Sequence, residues 1–222
     1  SHMLDLNKSN VSNIVSTFEQ AGYLEQNPET GRYRLGLKLL EFSFIINEKL
    51  GYQRILHDIL QGLSKRLNAI TYFAIYRQQQ VFYLCNSYPP EEVYNYPFRS
   101  IMGECAPLYC TSLGKAMLAY LPQEDFEACL RLERTAYTDY TIMDEDALRR
   151  EILLTRQRGY SMDNQEHEYG IRCIGVPIFN SDNTLLGAMS ASSASFDFDN
   201  RREIEECVHQ MKAAARVVRE RL

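Results

Sequence analysis

Positive charge is in short supply in this chain of 222 residues. Lys and Arg number 24 against 29 Asp and Glu, for a formal net charge of −5 and a pI near 5.5. That excludes the strongly basic overall surface that usually marks a nucleic-acid binder. No apolar run approaches the ~18 residues of a membrane span, and no secretion signal is present. The six cysteines, at 85, 105, 110, 129, 173 and 207, form no CxxC pair and never come closer than five positions. They read as reduced thiols of a cytoplasmic protein rather than a disulfide framework or a zinc finger. Histidine is scarce at four residues, one of them His2. Internal repeats and low-complexity tracts are missing too.

What remains is an ordinary globular composition, 45% hydrophobic and 24% charged, in the range of folded soluble domains. The length fits one domain of about 150 to 180 residues with a small appendage. Such a chain buries a core without staples. Ser1-His2-Met3 reads as a tag remnant and is set aside. Residue 4 falls inside a motif, so the native chain is expected to begin upstream of Leu4.

Along the chain, Val11, Ile14, Val15 and Phe18 repeat at helical spacing, with Ser9 as the expected N-cap and Gly22 as the stop. Two short extended runs, 23–26 and 32–35, flank a Pro and Gly turn and read as a hairpin. A helix followed by a hairpin is the back half of a winged helix-turn-helix, and it cannot form a core alone. Residues 37–50 read as a helix apolar nearly all round, expected to be a buried linker packed on a partner chain. Leu56, Leu60, Leu63 and Leu67 stripe a helix over 52–67. Strands are expected at 70–76 and 81–85, joined through Gln78-Gln79-Gln80, and near 94–99. Helices follow at 112–121, 123–132 and 144–158, then strands at 160–163, 171–179 and 184–193, the last two turning at Asp182-Asn183. A helix over 200–221 closes the chain. The order predicts an α+β fold, one antiparallel sheet with helices packed on it.

Three stretches in series resemble the IclR family. The first runs from Asn7-Lys8-Ser9-Asn10-Val11 through Ala21-Gly22-Tyr23-Leu24 to Gly31-Arg32-Tyr33-Arg34-Leu35-Gly36. The second is Pro107-Leu108-Tyr109-Cys110-Thr111-Ser112-Leu113-Gly114-Lys115-Ala116. The third runs from Arg158-Gly159-Tyr160-Ser161-Met162-Asp163 through Glu166 and Gly170-Ile171-Arg172-Cys173-Ile174 to Val176-Pro177-Ile178-Phe179. The resemblance covers essentially all of residues 4–222. It implies a transcription regulator with a partial winged helix-turn-helix at 4–36, a linker helix at 37–50 and a GAF/profilin-like effector-binding and oligomerisation domain at 51–222. Operator DNA, a homodimeric or homotetrameric assembly and a small-molecule effector are the partners it implies. No cofactor, membrane or catalytic role is expected.

For DNA, short polar residues at an exposed helix start suit a major groove, and Lys8, Ser9, Asn10, Ser12 and Asn13 supply them. Arg32 and Arg34 on the wing are placed for phosphates. Any surface helix also carries polar residues, so the bland alternative stands beside this one. Residues 4–36 hold three basic and four acidic side chains; that net −1 offers little phosphate attraction, and tight DNA binding by this chain is not expected.

For the effector, Ser112, Leu113 and Gly114 sit where a loop becomes a helix, and bare backbone N–H groups there attract a carboxylate. Ser190 and Ser192, two apart on a strand, face one side, with Ala188 beside them and Cys173 on the neighbouring strand; Asp163 ends another. A hydroxyl or keto group can bond to all four. The resemblance implies the same set as effector-binding positions: Ser112, Leu113, Asp163, Ile171, Cys173, Ser190 and Ser192. The effector expected is a small carboxylic acid, a sugar acid or keto acid. The alternative is that Ser190 and Ser192 are merely small residues packed under a helix. Tyr94, Tyr96, Phe98, Ile101 and Met102 read either as an apolar pocket wall or as plain core. Two further readings stay open: a thiol enzyme using Cys105, Cys110 or Cys173 with His57 or His167, and a metal site of Asp163, His167 and Cys173.

Overall fold

The computed structural model describes residues 5–50, 53–90 and 101–221. It divides into two compact units, Ser1–Gln53 and Arg54–Leu222, each taken by itself below. The strand expected near 94–99, with Tyr94, Tyr96 and Phe98, lies outside the described residues.

In the first unit, helix α1 (Lys8–Gln20) is followed by strands β1 (Leu24–Gln26) and β2 (Tyr33–Leu35), paired antiparallel, and by helix α2 (Lys38–Leu50). The cap of α1 is Asn7, not Ser9: Asn7 Oδ1 accepts from the Asn10 amide at 2.8 Å. Asn-Lys-Ser-Asn offers three good caps in four residues, and hydrogen bonding selects the first, leaving Ser9 in the first turn. At the other end Gly22, at φ +80°, closes a Schellman motif. Its N–H reaches the Glu19 carbonyl and that of Tyr23 reaches Phe18, while the Phe18 and Tyr23 rings meet edge to face. No residue of α1 is buried. In α2, Phe42 stacks on Tyr23, but Leu40, Phe44, Ile45 and Ile46 are exposed. Within the first unit these side chains have no cover, and the burial expected for them was against a partner chain.

The second unit runs α3 (Gln53–Leu67), β3 (Ile70–Arg77), β4 (Gln80–Ser87), β5 (Cys105–Ala106), α4 (Ser112–Leu118), α5 (Gln123–Leu130), α6 (Glu145–Arg158), β6 (Ser161–Asn164), β7 (Arg172–Phe179), β8 (Leu185–Ser193) and α7 (Arg201–Arg221). One six-stranded sheet has the order β5-β4-β3-β8-β7-β6, every pairing antiparallel. The chain therefore has the α+β layering that its sequence order predicts. The β3–β4 turn is a two-residue link, Gln78 and Gln79, both at positive φ, the geometry of a type I′ hairpin.

Strand alternation sorts the sheet into two faces. Phe73, Ile174, Val176, Met189 and Ala191 cover one face, all buried, where α7 packs and where the Thr71 hydroxyl donates to the Leu60 carbonyl of α3. Leu56, Leu60 and Leu63 are fully buried; each contributes about 1.5–3 kcal/mol by leaving water. The opposite face carries α4 with α6 behind it, around Ala74, Leu113, Ala116, Met117 and Leu148.

Candidate functional site

A polar cluster interrupts the α4 face. Antiparallel register sets Asp163 (β6) opposite Cys173 (β7) and Cys173 opposite Ser192 (β8). One row further along, Ser190 lies between Gly175 and Tyr72. Asp163, Cys173, Ser190 and Ser192 are all buried. Ser192 Oγ donates to Cys173 Sγ at 3.0 Å, and the thiol bonds in turn to Asp163. Three strands thus supply a relay of hydroxyl, thiol and acid. The structure brings together the four residues that the sequence singled out on strands.

Burial governs the electrostatics. It pushes the Asp163 carboxyl up to about 7, with the Glu166 carboxylate adding to the rise, while the Glu166 N–H at 2.7 Å and Lys115 pull it back. Burial likewise raises the thiol of Cys173, helped by Asp163, and that of Cys110. Thiols held neutral are poor nucleophiles. The tyrosines Tyr72 and Tyr83, rings edge to face at 5.7 Å, also have their hydroxyls raised by burial, with Cys173 adding to both. They stay protonated and able to donate. Neither tyrosine stood out in the sequence, because only the closure of β3 onto β8 places them here.

The start of α4 needs one correction. Thr111 caps it: Thr111 Oγ1 accepts from the Gly114 amide at 3.1 Å and donates to the Pro107 carbonyl at 2.8 Å. Of the three amides expected to be bare, that of Gly114 is taken, and those of Ser112 and Leu113 keep no helical partner. The Leu113 side chain belongs to the apolar core, so its offer to a ligand is backbone alone. The Ser112 carbonyl accepts from Ser161 Oγ at 2.5 Å. A Cβ at Gly175 would lie 2.5 Å from that same carbonyl, so the glycine is what lets α4 sit on the sheet. Ile171 lies one residue before β7, half-buried, its carbonyl accepting from the Gln165 amide.

Beside the cluster Lys115 is buried and paired with Glu166, with Glu151 at 3.7 Å and Arg158 bonded to Glu151. Glu166 Oε2 is buried with no hydrogen-bond partner among the described residues. A lysine in an apolar helix is a sequence signal that went unused; its partner 51 residues away is not visible from sequence.

The histidines do not complete a thiol pair. His57 is exposed on α3, and His167 lies against the Tyr137 ring, 4.9 Å between centroids, with burial lowering its basicity. Among the described residues no three His, Cys, Asp or Glu side chains converge on a metal-sized point. Among them also, no helix is long and apolar enough to cross a membrane.

In the first unit Lys8, Ser9, Asn10, Ser12 and Asn13 are exposed on α1, and Arg32 and Arg34 are exposed on the wing. Arg34 is engaged: its guanidinium donates to Glu25 Oε2 at 2.6 and 2.9 Å.

Residues 48–220 match the family model of the bacterial transcriptional regulator IclR C-terminal domain. Over 201 residues the chain is 29% identical to the HTH-type transcriptional regulator XynR of Escherichia coli (strain K12), covering 90% of this chain and 79% of that one. The crystal structure of the Thermotoga maritima IclR shares the fold, with a TM-score of 0.77 and 27% identity over 100% of this chain and 88% of that one. So does an IclR homologue of Microbacterium hydrocarbonoxydans crystallised with 4-hydroxybenzoate, with a TM-score of 0.80 and 23% identity over 97% and 85%.

Proposed function

The chain belongs to the IclR family of bacterial transcriptional regulators, and on that premise we propose that the buried polar cluster is its effector site and that the effector is a small carboxylic acid, a sugar acid or keto acid. The family makes the protein a small-molecule-sensing regulator of transcription. One observation carries the assignment of the site: Asp163, Cys173, Ser190 and Ser192 share one buried face of the sheet beneath α4. Buried polar groups cost free energy unless something satisfies them, and oxygens of a ligand do so here. The carboxylate takes the Ser112 and Leu113 amides. Its hydroxyl or keto oxygen takes Ser190, Ser192, the thiol and the Asp163 carboxyl. Ile171 lies beside the cluster, one residue before β7.

The bound form differs from the empty one at the start of α4, and that difference passes to the assembly interface and the paired DNA-binding domains. The effector changes operator affinity only to the extent that it binds one state more tightly than the other. Lys8, Ser9, Asn10, Ser12 and Asn13 face the operator, and Arg32 and Arg34 its phosphates. The working form is a cytoplasmic homodimer or homotetramer joined in part through α2.

A thermal-shift screen of small carboxylic acids identifies the effector, since a ligand that binds only the folded state raises its melting temperature. With the best hit, Ser190→Ala together with Ser192→Ala is expected to weaken binding by more than roughly tenfold, or about 1.4 kcal/mol, with the circular dichroism spectrum unchanged. Calorimetry that returns the wild-type affinity would refute the site. The thiol-enzyme reading gains nothing at Cys110 and Cys173, because burial raises both thiols.

A further inference from the structure

A cavity opens on the α4 face of the sheet, away from the polar cluster. It measures about 330 Å³ and lies between the Gln78–Gln79 turn, the segment leading into α4, and α5 with the loop after it. Leu108, Leu118, Leu130 and Leu148, all buried, form its floor. None of its lining residues belongs to the Asp163–Cys173 cluster. Protein cores close-pack to a density that leaves few voids larger than water. An apolar cavity of roughly 150 Å³ already takes a benzene ring, and ligand pockets begin at about 300 Å³. The rim is glutamine amides and the Glu133 carboxylate, with no Lys, Arg or His among the lining residues. That rim disfavours carboxylates and leaves the apolar floor to set the choice.

We propose that this cavity is a second ligand site, for a small uncharged ring compound, and that it acts on the polar cluster through Leu108. The link is steric. A Cβ at Gly114 would lie 2.2 Å from the Leu108 carbonyl oxygen, so the backbone of Leu108 rests directly on the first turn of α4. The Tyr109 hydroxyl clamps the neighbouring wall, accepting from the Thr135 amide at 2.8 Å and donating to its carbonyl at 2.9 Å. A ring seated on Leu108 therefore moves the turn that carries Ser112 and Leu113. Binding stands independently of the effector assignment; only the influence on effector affinity rests on that assignment.

Crystals of the intact chain soaked in 4-bromophenol test the site directly. Anomalous scattering is expected to place bromine over Leu130 and Leu148; bromine found nowhere, or only over Cys173 and Ser190, overturns the proposal. In solution, phenol titrated into the protein and followed by NMR supplies the second readout. Leu132→Trp, a change at an exposed rim position, is expected to weaken phenol binding by roughly tenfold or more, and an unchanged affinity counts against the cavity. The Gly114 amide resonance is expected to shift as phenol fills the site. If phenol binds and that resonance stays still, the coupling through Leu108 is wrong.

Discussion

Asp163 folds with its carboxyl held up to about 7, mainly by burial, whereas an unfolded aspartate titrates near 4. Between those values the native protein keeps a proton that the unfolded chain has released. Stability therefore falls as pH rises from about 4 to about 7 and levels off above. Asp163→Asn keeps an oxygen for the Glu166 amide and removes the charge. Its stability relative to wild type is expected to grow by about 2 kcal/mol between pH 5 and pH 8, read from urea unfolding at both pH values. A pH-independent difference would show that this carboxyl is not the group that titrates. At this scale the sequence is legible where a residue's role is local and silent where a distant partner sets it. Ser190 and Ser192, two apart on one strand, show their shared face through alternation alone. Lys115 and Glu166 acquire their meaning only when two separate elements meet.

Elements were the most readable part of the chain, for a physical reason. The leucine stripe of α3, the continuous runs of apolar and small residues in β7 and β8 and the Asp182-Asn183 turn are all short-range signals. In that turn Asn183 sits at positive φ and Asp182 Oδ1 accepts from the Thr184 amide. Strand β5 was missed because it has no period to find. Its two residues pair with β4, Cys105 opposite Phe82 and Ala106 opposite Val81, and the bonds just before it, Gly103 N–H to the Tyr83 carbonyl and Tyr83 N–H to that of Glu104, span as long a stretch of chain. The order of the strands was equally hidden, and with it the place of Tyr72 and Tyr83 beside Ser190. Gly175 was visible as a glycine in a strand, but its purpose appears only with α4 lying on it. Gly175→Ala forces a methyl group against the Ser112 carbonyl and Ser161 Oγ, each 2.5 Å from the added carbon. We expect a loss of about 2–3 kcal/mol, in the range of overpacked cores, measured by chemical denaturation. A variant as stable as wild type would mean that α4 can slide without cost.

Across the described residues, helix α2 leaves apolar side chains uncovered on more than one side. Phe44 is 66% exposed and Ile46 55%, on a helix that also exposes Leu40 and Ile45. Contiguous apolar patches of this kind mark association surfaces. With the proposed homodimer or homotetramer, Phe44→Glu together with Ile46→Glu is expected to lower the assembly state seen by sedimentation velocity while leaving Arg54–Leu222 folded. An unchanged sedimentation coefficient would place the interface elsewhere. DNA binding is a property of the same scale, since residues 4–36 carry too little positive charge to act as an isolated unit.

The pairing of Arg34 with Glu25 bears on how the wing would treat DNA. An exposed pair of this kind is worth under about 1 kcal/mol, so a phosphate can displace it. With Glu25 already in the phosphate's place, however, the arginine is preoccupied by a decoy. Any duplex that displaces the pair bears the same small cost, so a phosphate contact at Arg34 would be weakened slightly and equally at every site.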